Sequence, residues 1–157
     1  MNIPAAGDRT RVLIIEDNPV DVYMVQCALK EELHWRTETI VADDGEKAIE
    51  LLLEHSSRPV RDWPDLVILD LNLPKRDGVE VLQIIRTTNG LRSLPVVVLS
   101  SSPMDVIKSK FKNLNVNANC YVTKPPDLDE FLALGKRFHS CYTKALGSEG
   151  LDACNWD

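Results

Sequence analysis

At 157 residues the chain suits one domain, long enough to bury a core without a stapling metal or disulfide framework. Its formal net charge of -6 argues against non-specific nucleic-acid binding, which depends on lysine and arginine against phosphate, and no basic stripe or helix-turn-helix-sized segment points to a transcription factor. No apolar run approaches the roughly 18 residues needed to cross a bilayer, and Met1 to Arg9 lacks the charged-then-apolar order of a signal peptide, so a cytoplasmic protein with no membrane partner is expected.

Short apolar runs alternate with amphipathic stretches along the chain, the pattern of a parallel sheet covered by helices. The first run, Val12 to Ile15, is continuous rather than alternating, as a strand buried on both faces should be, and ends in Glu16-Asp17. Asn18-Pro19 predicts a helix start, with Asn18 as N-cap and Pro19 at the first helical position. Val22, Val25 and Leu29 then share one helical face. A second strand is predicted over about residues 36–41, followed by a turn at Asp43-Asp44-Gly45 and a helix carrying Ala48, Ile49 and Leu52.

His55 to Pro64 is polar, holds two prolines and reads as a long loop. The third strand, Leu66 to Leu69, ends at Asp70; a loop over residues 71–78 leads to a helix with Val81, Leu82 and Ile85. The fourth strand, Val96 to Leu99, runs into three serines, and Ser102-Pro103 predicts a helix by the same cap-plus-proline logic, with Val106, Ile107, Phe111 and Leu114 as its apolar members. A short fifth strand covers residues 120–123 and ends at Lys124-Pro125-Pro126. Asp127 is expected to cap the last helix, whose apolar face is Leu128, Phe131, Leu132 and Phe138. The count is five strands and five helices, an α/β fold. Its bounds are a tail over 1–9, a domain over 10–142, and a tail or helix extension over 143–157. Cys27, Cys120, Cys141 and Cys154 are scattered without a C-x-x-C pair and read as reduced thiols used as small hydrophobes.

In an open sheet of this kind ligands bind beyond the carboxyl ends of the strands. The predicted strands deliver Glu16 and Asp17, Asp70, Ser100 and Lys124 to that edge. Each alone has a plain explanation: a solvated loop, a cap, a surface charge. Together they place three carboxylates where like charges repel unless neutralised, and a hard divalent cation with oxygen ligands is the economical neutraliser.

The motifs Leu13-Ile14-Ile15-Glu16-Asp17-Asn18, Val67-Ile68-Leu69-Asp70-Leu71-Asn72-Leu73-Pro74, Lys75-Arg76-Asp77-Gly78, Leu94 to Ser101 and Tyr121-Val122-Thr123-Lys124-Pro125 carry a resemblance to the receiver domains of bacterial two-component response regulators, over roughly residues 11–139. The stretch from Asn72 to Gly78, with the long loop before the third strand, is most similar to the stand-alone regulators that partner phytochromes. The resemblance implies a flavodoxin-like (βα)5 three-layer sandwich with a parallel five-stranded sheet in the order 2-1-3-4-5. It implies Asp70 as phosphoacceptor, taking a phosphoryl group from a sensor histidine kinase, a phytochrome among the candidates, to give 4-aspartylphosphate. Glu16, Asp17, Asp70 and the backbone carbonyl of Asn72 would hold Mg²⁺, for which Mn²⁺ or Ca²⁺ could substitute. Lys124 would pair with a phosphoryl oxygen, and Ser100 and Tyr121 would act as the switch.

The same resemblance implies a commonly cis Lys124-Pro125 bond and positions at Asn72 and Ser102 that tune hydrolysis; Pro126 departs from the family, where an apolar residue is common. The protein would be a single-domain signalling protein, not a turnover enzyme, catalysing its own phosphorylation and slow autodephosphorylation. It would act on an unidentified downstream protein. A homodimer is expected from exposed side chains around Phe138, Tyr142 and Trp156. Two other readings compete: a phosphorylation-independent binding module on the same fold, and a phosphatase of the haloacid dehalogenase class, which would need an Asp where Asn72 stands.

Overall fold

The computed structural model describes residues 9–56, 63–112 and 114–147 and the backbone of 155–156. The expectations that rest on residues 1–8, on 57–62 of the polar loop, on Leu151, Cys154 and the Trp156 side chain lie outside the described residues. The elements run β1 (Thr10–Ile15), α1 (Pro19–Lys30), β2 (Thr37–Ala42), α2 (Gly45–Ser56), β3 (Leu66–Leu69), α3 (Gly78–Thr87), β4 (Val96–Ser100), α4 (Met104–Phe111), β5 (Cys120–Thr123), α5 (Leu128–Leu132), α6 (Leu134–Gly147) and β6 (Asn155–Trp156).

All five expected strands pair in parallel in the order β2-β1-β3-β4-β5, and the two-residue β6 adds beyond β5. Alternate residues of a strand face opposite sides, so the apolar runs of β1, β3 and β4 feed two cores. Leu13, Ile15, Val67, Leu69, Val96 and Val98 pack with α2, α3 and α4. Val12, Ile14, Leu66, Ile68, Val97 and Leu99 pack with α1 and the C-terminal helices. This is why those runs are apolar throughout rather than alternating.

Asn18 caps α1 as expected, its side chain accepting from the Val20 N–H, with Pro19 in the first turn. Asp127 caps α5 in the same way through the Asp129 N–H. Several expectations are corrected. The last helix is two segments, α5 and α6, with Ala133 between them. The N-cap of α4 is Pro103, whose carbonyl accepts the Ile107 N–H at 3.2 Å and whose side chain has no oxygen to cap with, so the helix starts one residue later than the Ser102 cap predicts; Leu114 lies beyond the end of that helix. Among the described residues no peptide bond is cis, so Lys124-Pro125 takes the trans form that X-Pro bonds favour by roughly 0.5–1 kcal/mol.

The reading of all cysteines as thiols is corrected too. Cys120 at the start of β5 and Cys141 on α6 face the same core layer and form a disulfide across 21 residues; Cys27 is free. Nothing in a lone pair of cysteines that far apart marks them as partners before the helix is laid on the sheet. Phe138 and Tyr142 are buried, not exposed: Tyr142 stacks on Trp35 at 5.7 Å, and the Trp35 indole N–H donates to Thr10 Oγ1 at 2.9 Å. The surface on which a homodimer was expected is therefore interior at those two residues. Among the described residues no helix is long and apolar enough to cross a membrane.

Candidate functional site: a carboxylate cluster around one lysine

Backbone bonds at the carboxyl ends of the strands set the site. The Glu16 N–H donates to the Ala42 carbonyl at 3.0 Å, the Asp70 N–H to Ile15 at 2.9 Å and the Lys124 N–H to Ser100 at 2.8 Å. Each extends the ladder one step past its strand and fixes where the side chain leaves the sheet. Residues distant in sequence thus meet at one rim. Carboxylate oxygens of Glu16, Asp17 and Asp70 all lie within 4.8 Å of one another. Glu16 and Asp70 are buried and Asp17 is exposed, which leaves one solvent-facing side. A set of oxygen donors this close, open on one side, fits a hard divalent cation that keeps some of its waters.

Lys124 enters from the β5 end. Its Nζ donates to Glu16 Oε2 at 2.7 Å, to Asp21 Oδ2 at 2.9 Å and to Asp70 Oδ2 at 3.3 Å. Burial alone would lower the ammonium's pKa, but the bonds to Glu16 and Asp21 and the charge of Asp70 reverse this and raise it. Asp70 also accepts the Asn72 N–H through Oδ1 at 3.2 Å, so both of its oxygens are engaged. Asn72 is exposed, and its side-chain amide donates to Ser102 Oγ at 3.4 Å.

The loop after β3 is held close to the sheet. The Gly78 N–H donates to the Leu71 carbonyl at 2.9 Å, and a Cβ on Gly78 would collide with the Asp70 carbonyl oxygen and the Leu71 Cα. Only glycine lets α3 start this near Asp70. Lys75 adopts φ 67°, a conformation uncommon for a non-glycine residue, and its ammonium lies 3.5 Å from Asp44.

Ser100 is fully buried. Tyr121 is fully buried as well, its hydroxyl accepting the Ala118 N–H at 2.9 Å and its ring edge-on to Phe111 at 5.5 Å. The ring therefore belongs to the α4 side of the sheet, and Cys120 and Val122 take the opposite face. Sequence reasoning missed Asp21. The available signal was an acidic residue in the first turn of α1, three residues after the cap Asn18 and close behind the acidic pair.

Burial, and to a lesser degree the Asp70 charge, pushes Glu16 up from its ordinary 4.5 to about 7, against the opposing bond from Lys124. A carboxyl whose folded pKa is raised favours folding below its unfolded value, and that contribution is lost as pH rises through the folded one. Glutamine mimics the neutral form. In metal-free buffer the stability of Glu16→Gln relative to wild type should therefore increase from pH 5 to pH 8, with most of the change between about 5 and 7. Urea unfolding in chelator across that range measures it; a flat difference, or one of opposite slope, contradicts the ionisation assigned to Glu16.

Residues 12–135 match the response regulator receiver domain family. The response regulator Rcp1 of Synechocystis sp. (strain ATCC 27184 / PCC 6803 / Kazusa) is 34% identical over 137 residues, covering 86% of this chain and 90% of its own length. The crystal structure of the phosphorylated cyanobacterial phytochrome response regulator RcpA superposes with a TM-score of 0.72 at 33% identity, over 87% of this chain and 95% of that one. The Mn²⁺-bound form of Rcp1 gives 0.67 at 36% identity, over 83% and 92%.

Proposed function

Because the chain belongs to the response regulator receiver family, we propose that it is a response regulator in which Asp70 accepts a phosphoryl group from a phosphohistidine of a sensor histidine kinase. The observation that carries this is the buried Asp70 carboxylate at the end of β3, 3.3 Å from Lys124 and clustered with Glu16 and Asp17. An Asp70 oxygen bonds to phosphorus as the phosphorus–nitrogen bond breaks; the electron pair leaves on the imidazole, which takes up a proton. A bound Mg²⁺, with Mn²⁺ or Ca²⁺ as substitutes, held by Glu16, Asp17, Asp70 and the Asn72 backbone carbonyl, would offset the charge on the phosphoryl oxygens.

Lys124 pairs with one phosphoryl oxygen and orients the group. Ser100, which now accepts the Ser102 N–H through its hydroxyl oxygen, donates to another. That movement, with Tyr121 wedged between the sheet and Phe111 of α4, links the site to α4 and β5. Output is a change in affinity for a protein partner in the cytoplasm. Similarity to Rcp1 and RcpA supports a phytochrome as the upstream kinase. Homodimerisation joins this reading only through side chains other than the buried Phe138 and Tyr142.

The test is incubation with acetyl phosphate and Mg²⁺ followed by phosphate-affinity electrophoresis. The wild type should give a slower band that hydroxylamine removes, as it does an acyl phosphate, and Asp70→Asn should give none. Absence of the band from wild type, or its persistence in Asp70→Asn, rejects the proposal in favour of a phosphorylation-independent module.

A further inference from the structure

Lys124 has three N–H donors and no acceptor, and three carboxylates surround it. They are not equivalent. Glu16 and Asp70 belong to the oxygen cluster that a divalent cation would claim, whereas Asp21 does not. Asp21 stands on the first turn of α1, yet its Oδ2 is nearer to Nζ, at 2.9 Å, than is that of Asp70, at 3.3 Å. The lysine side chain is 10% exposed and that of Asp21 22% exposed, so their pairing is only partly screened by water. A cation in the cluster would draw away Glu16 and Asp70 but leave Asp21 paired.

Resting on the phosphoacceptor reading of Asp70, we infer that Asp21 is a positioning residue for Lys124: it competes for the ammonium with any anion that arrives at Asp70. An ammonium already paired with a carboxylate offers less field to a second anion. It also presses less hard on the carboxylates that hold the cation. Removing the Asp21 charge therefore has opposite effects on the two ligands. The anion gains the whole of Lys124, and the cation loses to it. A purely structural role would weaken both together.

The test is titration of the full chain with Mg²⁺ alone and then, at saturating Mg²⁺, with beryllofluoride, a phosphoryl mimic followed by fluorine NMR. Asp21→Asn should bind beryllofluoride about five- to ten-fold more tightly and Mg²⁺ about five-fold more weakly, the scale of one partly buried charged hydrogen bond. Asp21→Glu should stay near wild type. In a Lys124→Gln background both effects should shrink to within about two-fold, since the pairing acts through the ammonium. Equal shifts with and without Lys124, an unchanged Asp21→Asn, or loss of affinity for both ligands overturns the inference. Should wild type take up no beryllofluoride, the phosphoacceptor reading fails by itself. The Mg²⁺ arm then still decides whether Asp21 holds Lys124: a five-fold weakening that needs Lys124 supports it, and anything less rejects it.

Discussion

Lys124→Ala should unfold in metal-free buffer at pH 8 with about 3 kcal/mol less stability than wild type, the lower end of what removing one partner from a buried ion pair costs. The lysine side chain is 10% exposed, and those of Glu16 and Asp70 are 4% and 7% exposed, so water does little to replace the lost ammonium. Three carboxylates would be left facing one another. The loss should shrink at pH 6, because protonation of Glu16, already pushed up to about 7, removes one of the charges. Saturating Mg²⁺ should restore more stability to Lys124→Ala than it adds to wild type, since no ammonium competes with the cation. Urea unfolding at both pH values, with chelator and with Mg²⁺, measures all of this. A loss that is the same under every condition would mean that Lys124 contributes packing rather than counter-charge.

The parts legible in the sequence are those set by local chemistry. The runs Val12 to Ile15, Leu66 to Leu69 and Val96 to Leu99 announce doubly covered strands because each residue must be apolar whichever face it takes. Asn18 and Asp127 announce helix starts because a cap needs only its own next turn. The meeting of Glu16, Asp17, Asp70 and Lys124 at one rim was legible because a parallel sheet puts every strand's carboxyl end on the same side.

What escaped depends on contacts between elements. Asp21 reads as an ordinary acidic residue in a first helical turn, favourable to the helix dipole, until Lys124, 103 residues on, is brought against it. Phe138 and Tyr142 look available on an amphipathic helix. Trp35, from the short segment before β2, closes over Tyr142, and both are buried. Cys120 and Cys141 share a layer only once α6 lies on the sheet. Ser102 carries every mark of an N-cap, but the first helical bond is accepted by the Pro103 carbonyl, one residue on.

Arg86 is a second, half-buried cation, in the last turn of α3, and its removal should be at least as costly as that of Lys124. From the last turn of α3 its guanidinium donates to the carbonyls of Asn117 at 2.9 Å, Arg92 at 3.1 Å and Leu94 at 2.6 Å, and to Asn119 Oδ1 at 3.0 Å. Asn119 Oδ1 also accepts the Val96 N–H at 2.8 Å, so Arg86 ties α3 to the segments that lead into both β4 and β5. Burial lowers the guanidinium's pKa to about 10, which leaves it charged at neutral pH. All four acceptors are neutral oxygens, so the ion is held by the planar fork of donors rather than by a counter-charge. Arg86→Ala should lose about 3–4 kcal/mol in urea unfolding, since part-buried carbonyls are left without their donors. Arg86→Lys should recover less than half, because one ammonium cannot reach acceptors spread around a fork. These acceptors lie at the amino ends of the strands, opposite the carboxylate rim, so the loss should be the same with chelator and with Mg²⁺. A loss below about 1 kcal/mol, within the range of an exposed charge, would refute the stapling role, and a loss that Mg²⁺ repairs would mean that the two ends of the sheet are coupled.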